Sequence, residues 1–176
     1  PGLIALLVGL MSPSAHAGWK AGLAKTAITP RESMWMAGYG SRTKPSEGAV
    51  HDLWAKALAF EDPTGKRALL VTLDLCGIGR SLSTEIRDAI EKKHGLDRSR
   101  IVVSCSHTHC GPVVGDNLIS MYRISEDEQR KIRDYAQFLE KSILETADAA
   151  FSKLTDAEIG WETGRCDFAV NRRNNK

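Results

Sequence analysis

The pattern of apolar and polar positions first predicts a set of β-strands. Residues 22–28 alternate loosely and stop at Thr29-Pro30, which indicates a strand ended by a turn. Residues 53–60 and 66–75 have the composition of two further strands. The intervening Asp62-Pro63-Thr64-Gly65 is strong turn chemistry, so we expect these two strands to form a hairpin.

A helix and another strand follow the hairpin. Apolar positions between residues 82 and 90 recur at helical spacing, with Ser81 or Ser83 available as N-cap and Gly95 just past the end. Residues 101–105 (IVVSC), like the strand before the helix, are almost continuously apolar, which is typical of strands buried on both faces. Strand, helix and strand within this length predict a βαβ unit with parallel strands.

The remaining pattern predicts one long helix and two short strands. Ser125-Glu126-Asp127-Glu128 has the form of a capping box, and apolar residues then repeat at helical spacing through residues 132–150. Residues 157–161 and 168–170 resemble short strands. The predicted fold class is therefore α/β: a mixed sheet with a βαβ unit and helices packed on it. Because the chain stops directly after a predicted strand, we expect it to be a truncated part of a larger domain.

The pattern of the first residues predicts that the protein is exported. Residues 3–11 are apolar but too short to span a bilayer, which takes about 20 residues. Ala15-His16-Ala17 follows as a small-x-small cleavage pattern, so residues 1–17 are interpreted as a signal peptide and the mature chain as beginning at residue 18. The alternative is a buried N-terminal helix or strand. Export places the protein in the periplasm or outside the cell.

Composition narrows the function classes. Hydrophobic residues make up 42% of the chain and charged residues 26%, which is typical of a soluble globular protein. The net charge is +2 and basic residues form no stripe, so nucleic acid is not an expected partner. Cys76, Cys105, Cys110 and Cys166 allow disulfides in an exported protein, but their spacing selects no pairing and buried free thiols are the alternative.

The most specific chemistry lies in residues 106–112 (SHTHCGP), directly after the second predicted parallel strand. Ligands of open α/β sheets bind at the carboxyl ends of the strands. His107 and His109, two positions apart on an extended backbone, point to the same side, where imidazoles suit a zinc ion. The alternative is a hydrogen-bonded structural pair. Asp74, ending the neighbouring strand, is either a second-shell partner of a ligand histidine or a carboxylate satisfied by backbone amides.

Residues 106–112 resemble the Thr-His-Thr-His-Ser-Gly-Pro stretch of the neutral/alkaline non-lysosomal ceramidases, with Cys110 in place of the serine. Further similarities occur in the order of that family and span nearly all of residues 18–176. They are an opening strand at residues 22–30, a Met-x-Gly-Tyr loop at residues 36–39, matching segments at residues 51–57 and 71–74, and an Asn-Arg segment at residues 171–172. Residues 31–50, which contain that loop, are rich in Gly, Ser and Pro and predict a long ordered loop of the kind that lines sites.

The resemblance implies a function and a set of roles. The family hydrolyses the amide of N-acyl-sphingosine, which makes this chain the N-terminal portion, residues 18–176, of a zinc-dependent catalytic domain acting on ceramide or a related N-acyl lipid. His107 is implied as a zinc ligand, His109 as the group beside the metal that contacts the substrate carbonyl or oxyanion, and Arg172 as a cationic stabiliser. A lipid substrate also implies peripheral contact with a membrane surface. The alternative function is a non-catalytic exported module that binds lipid or carbohydrate.

Overall fold

The computed structural model describes residues 18–169 and 171, so the predicted signal peptide and Arg172 lie outside the described residues. Within the described range the chain forms one mixed five-stranded sheet with two α-helices packed on it, which confirms the predicted fold class. The elements in chain order are β1 (Trp19–Ala27), β2 (Trp54–Glu61), β3 (Arg67–Leu73), α1 (Arg80–His94), β4 (Ile101–Cys105), α2 (Glu126–Phe151) and β5 (Thr155–Ala157). No helix of the described residues is long and apolar enough to cross a membrane.

The sheet order is β4-β3-β2-β1-β5. The predicted hairpin is confirmed, because β2 and β3 pair antiparallel and the Asp62 carboxylate accepts backbone hydrogen bonds from Thr64 and Lys66 in the turn. The βαβ unit is also confirmed, since β3 and β4 are parallel and joined through α1. The carboxyl ends of β3 and β4 therefore meet at one edge of the sheet.

The two helices cover one face of the sheet, and residue size decides how closely they approach. Under α2 the facing positions of β1 and β2 are mostly small: Gly22 lies against the carbonyl of Ala150, the alanines of β2 at positions 55, 57 and 59 are buried, and Thr26 bonds to Thr146 of α2. The sheet presents larger side chains further along, where β3 and β4 carry Leu69, Val71, Leu73 and Ile101. The predicted stripe of α2 is confirmed as core, because each of its members is buried: Ile132, Tyr135, Leu139, Ile143, Ala147 and Ala150.

The other face of the sheet is open among the described residues, which corrects one prediction. We expected β3 and β4 to be buried on both faces, but their burial alternates and Val102 of β4 remains 50% exposed. On the same open face Leu23 of β1 is 68% exposed. A continuously apolar strand can be buried on both faces of a sheet. The prediction was wrong because the two helices of the described residues pack on one face only.

The ends of several elements also differ from expectation. Helix α1 begins at Arg80 after Gly79, without a side-chain cap from Ser81 or Ser83, although Gly95 closes it in the left-handed conformation as predicted. Helix α2 does begin at Ser125, whose hydroxyl accepts from the Glu128 amide. The predicted strand at residues 157–161 was wrong: β5 is Thr155–Ala157, and residues 158–169 form no regular structure. Residue 170, the end of the last predicted strand, lies outside the described residues.

Gly22 gives the first testable prediction. A Cβ at this position would overlap the backbone carbonyl of Ala150, which cannot move without shifting α2. We expect Gly22→Ala to lower the free energy of unfolding by about 2 kcal/mol, as overpacking of a core does. Gly164→Ala is the matched control, because nothing lies near its Cβ position. Denaturant titration of the two variants measures the difference, and equal stability would contradict the packing of α2 on β1.

Tyr135 gives a second prediction, because its buried hydroxyl donates to the carbonyl of Ile28 at 2.6 Å. Tyr135→Phe leaves that carbonyl without its partner, and we expect a loss of about 1–2 kcal/mol at neutral pH. Burial raises the pKa of Tyr135 above its ordinary value of 10. The unfolded chain then releases this proton first, so wild-type stability falls as the pH rises above 10, and the variant lacks this contribution. Unfolding measured across pH 7 to 11 checks both effects; parallel pH curves would contradict the second.

Candidate metal centre

The two histidines of the predicted site follow the end of β4. The Ser106 amide still pairs with the carbonyl of Leu73 at 2.9 Å, but His107 then takes a left-handed backbone with φ of 58°. The predicted extended backbone through both histidines was therefore wrong. Their rings nevertheless meet, with centroids 5.0 Å apart and planes at 70°, because the left-handed turn folds the chain back. His107 is exposed and His109 half-buried, so both rings are accessible.

A hydrogen bond to the neighbouring strand end orients His107. Its Nδ1 lies 2.8 Å from the backbone carbonyl of Cys76, which comes three residues after the end of β3. A carbonyl oxygen only accepts, so Nδ1 carries the hydrogen and Nε2 keeps its lone pair. Histidines that bind metals are commonly oriented in this way, with one ring nitrogen donating to a carbonyl and the other facing the ion.

His109 is positioned by the long loop between β1 and β2. Gly38, with φ of 103°, lies against the imidazole, and a Cβ there would overlap the ring. Tyr39 meets the same ring edge-on at 4.6 Å between centroids. Arg42 donates from Nη2 to the His109 carbonyl at 2.5 Å, and its guanidinium lies 5.4 Å from the Tyr39 ring centroid. The loop between β1 and β2 therefore contacts both the imidazole ring and the main-chain carbonyl of His109.

Backbone hydrogen bonds fasten this loop to the turn after His109. The amide of Ala37 donates to the carbonyl of Gly111 at 2.8 Å, and the amide of Val113 donates to the carbonyl of Trp35 at the same distance. Met36 and Pro112 form an isolated bridge between them. The prediction of a long ordered loop is therefore confirmed, and the structure places this loop beside His109. Its packing against His109 could not be found from residue spacing, and the only signal was the Met-Ala-Gly-Tyr motif.

Cys76, His107 and His109 form a group whose donor atoms lie within 4.8 Å of one another. The Cys76 Sγ is 3.6 Å from His107 Nδ1, and burial raises the pKa of this thiol, so it carries its proton when no metal is bound. Two imidazoles and a sulfur are donors that zinc accepts readily. The donor types present in this group therefore fit a zinc ion. Sequence reasoning did not assign Cys76, although its position just after β3 places it at the same sheet edge.

The other candidate residues take different places. Asp74 accepts from the Trp54 amide at 3.0 Å and lies 3.8 Å from the Lys56 amine, so it is the strand-end carboxylate and not a partner of His107. The four cysteines, all within the described range, are free thiols. Arg172 lies outside that range, and its predicted role stays a prediction.

Comparison with known proteins agrees with this fold. Residues 19–175 match the family described as neutral/alkaline non-lysosomal ceramidase, N-terminal. The neutral ceramidase of Pseudomonas aeruginosa is 24% identical over 161 residues, which cover 89% of this chain and 22% of that protein. Neutral ceramidase 2 of Arabidopsis thaliana is 26% identical over 113 residues, covering 62% of this chain and 15% of the relative.

The crystal structure of the Pseudomonas aeruginosa neutral ceramidase has the same fold in the shared region. The TM-score is 0.63 at 22% identity, over 79% of this chain and 22% of that structure. The chain thus spans less than a quarter of the relatives that it matches. Because the family match covers nearly the whole of the described chain, this protein belongs to the neutral/alkaline non-lysosomal ceramidase family, in the N-terminal region of that family.

Proposed function

We propose that this chain is the N-terminal portion of an exported, zinc-dependent amide hydrolase that cleaves ceramide or a related N-acyl lipid to a fatty acid and an amine. One observation carries the proposal: His107, in a chain of the ceramidase family, donates Nδ1–H to the Cys76 carbonyl and keeps a lone pair on Nε2, and its ring centroid lies 5.0 Å from that of His109. Histidines that bind metals are commonly oriented in this way, by a hydrogen bond from the ring nitrogen that does not bind the ion.

In this proposal His107 holds the metal through Nε2. A bound zinc ion would supply Lewis acidity and lower the pKa of its water to about 7. The Cys76 carbonyl fixes the ring of His107, so the ligand nitrogen does not have to be ordered when the metal arrives.

His109 serves the substrate in this proposal. The Tyr39 ring and the Gly38 backbone hold its imidazole, which leaves it able to donate a hydrogen bond to the carbonyl oxygen of the amide. A preorganised donor of this kind contributes about 3 kcal/mol to stabilising an oxyanion. We assign the same task to Arg172 as a cation, on the family resemblance of the Asn171-Arg172 segment.

Residues 1–17 would direct export, and the lipid substrate would be met at a membrane surface. A non-catalytic lipid- or carbohydrate-binding module is the alternative function. Membership of the ceramidase family does not favour it, and metal content separates the two.

The first test concerns the metal. We expect the full-length protein to hold about one zinc ion per chain and His107→Ala to lose at least tenfold in zinc affinity, because it removes an oriented ligand. Elemental analysis after dialysis against a graded zinc buffer measures this. His51→Ala is the control, since His51 is exposed and does not belong to the Cys76–His107–His109 group. A wild-type protein that binds no zinc would refute the hydrolase and leave the binding module.

The second test separates the role of His109 from that of the metal. In Gly38→Ala the new Cβ must displace the imidazole of His109, while His107 keeps its bond to Cys76. We expect kcat on a short-chain fluorescent ceramide to fall about 100-fold, the scale of a 1 Å misplacement, with zinc content unchanged. Gly40→Ala is the matched control, because its Cβ would make only ordinary contact with Met121 at 3.5 Å. Equal activity of the two variants would remove His109 from the reaction.

A further inference from the structure

A cavity lies next to the turn that carries the two histidines. It has a volume of about 720 Å³ and is formed mainly by the loop between β1 and β2, with Cys110 completing its wall. Arg42 lines this cavity and also donates to the His109 carbonyl, so one side chain connects the cavity with the candidate metal centre. Neither His107 nor His109 lines it, which makes it a separate compartment.

The cavity wall holds two arginines that form no ion pair with a described carboxylate. Arg42 Nε is buried without a hydrogen-bond partner, and no carboxylate of the described residues lies within 4.0 Å of its guanidinium. Arg31, which also lines the cavity, is exposed, lies 5.8 Å from the Phe138 ring centroid and forms no ion pair within the described range. A buried guanidinium nitrogen without a partner is costly, so this wall favours an anion.

The acids of the cavity do not neutralise these arginines. Glu47 pairs with Lys44, and Glu32 lies 4.0 Å from Lys131. Neither lysine lines the cavity, so both carboxylates are compensated from outside. Arg31 and Arg42 are thus the cationic residues of the lining that have no carboxylate partner among the described residues.

The rest of the lining is apolar. Pro30, Met36, Val50 and Leu53 contribute to the wall, and Val50 is fully exposed. A small inorganic anion would use the arginines but leave Val50 in water. An anion attached to a hydrocarbon chain would use both parts, and a planar carboxylate matches the fork of a guanidinium better than a point charge does.

We propose that this cavity binds the carboxylate of an acyl-chain amphiphile, with Arg31 and Arg42 as the recognising groups. Two sources supply that chemistry. One is a free fatty acid, the product of amide hydrolysis, and the other is the head of an N-acyl amino acid, an anionic substrate. The second source rests on the proposed hydrolase function, whereas binding of a fatty acid does not.

Binding is tested first, with the full-length protein and laurate as the probe. We expect laurate to bind at least tenfold more tightly than dodecanamide, which has the same chain and no charge, in isothermal titration calorimetry. Arg31→Gln should weaken laurate binding about tenfold and leave dodecanamide unchanged, since it removes one charged partner. Arg98→Gln is the matched control, because Arg98 pairs with Asp88 and precedes the opposite end of β4.

Kinetics then distinguish the two sources. A higher kcat/KM for N-lauroylglycine than for N-lauroylethanolamine, abolished by Arg31→Gln, would identify the anionic substrate. Tight laurate binding without that preference would identify the product. Equal affinities for laurate and dodecanamide, or laurate binding untouched by both Arg31→Gln and Arg42→Gln, would overturn the proposal. Laurate binding in a protein that hydrolyses neither of these amides nor ceramide would refute the hydrolase but support the cavity.

Discussion

The site depends on one hydrogen bond, from His107 Nδ1 to the carbonyl of Cys76. This bond connects the segments that follow β3 and β4, which carry the residues of the site. Parallel pairing of β3 and β4 makes their chains leave the sheet at the same edge. The left-handed backbone of His107 costs about 1–2 kcal/mol, and a hydrogen bond returns about 1 kcal/mol. The remaining cost must be met by the backbone contacts that hold the turn, such as Ser106 to Leu73 and Ala37 to Gly111.

The two histidines are therefore positioned by different parts of the fold. His107 is held by the sheet edge through Cys76, whereas His109 is held by the loop through Gly38, Tyr39 and Arg42. A change in the loop can move one ring and leave the other in place. This separation suits a centre in which one imidazole binds a metal ion and the other contacts a substrate.

Sequence patterns predicted those features that depend on neighbouring residues. The helical stripe of α2, the hairpin turn at Asp62 and the βαβ unit each follow from local periodicity or turn chemistry, and each is present. The strand predicted at residues 157–161 lies instead at Thr155–Ala157, because its position is set by pairing with β1, which is far away in sequence. The open face of β4 was missed because composition does not say on which side the helices pack.

The same limit applies to the site. The histidine pair was visible as a motif, but its geometry was not, since a positive φ at His107 cannot be derived from the spacing of two imidazoles. The acceptor that orients His107 is a main-chain carbonyl, and every residue has one, so residue types alone could not single out Cys76. Gly38 was noted only as part of a family motif, although its missing Cβ is what admits the His109 ring.

Arg42 shows how the loop can serve two compartments without conflict. A guanidinium has five N–H donors, and one of them is committed to the carbonyl of His109. The buried Nε has no hydrogen-bond partner, and no described carboxylate forms an ion pair with Arg42, which lines the cavity. An occupant of the cavity can therefore be bound without releasing His109. Because the guanidinium is planar and rigid, however, any occupant that tilts it must also shift that carbonyl, which links binding in the cavity to the position of the imidazole.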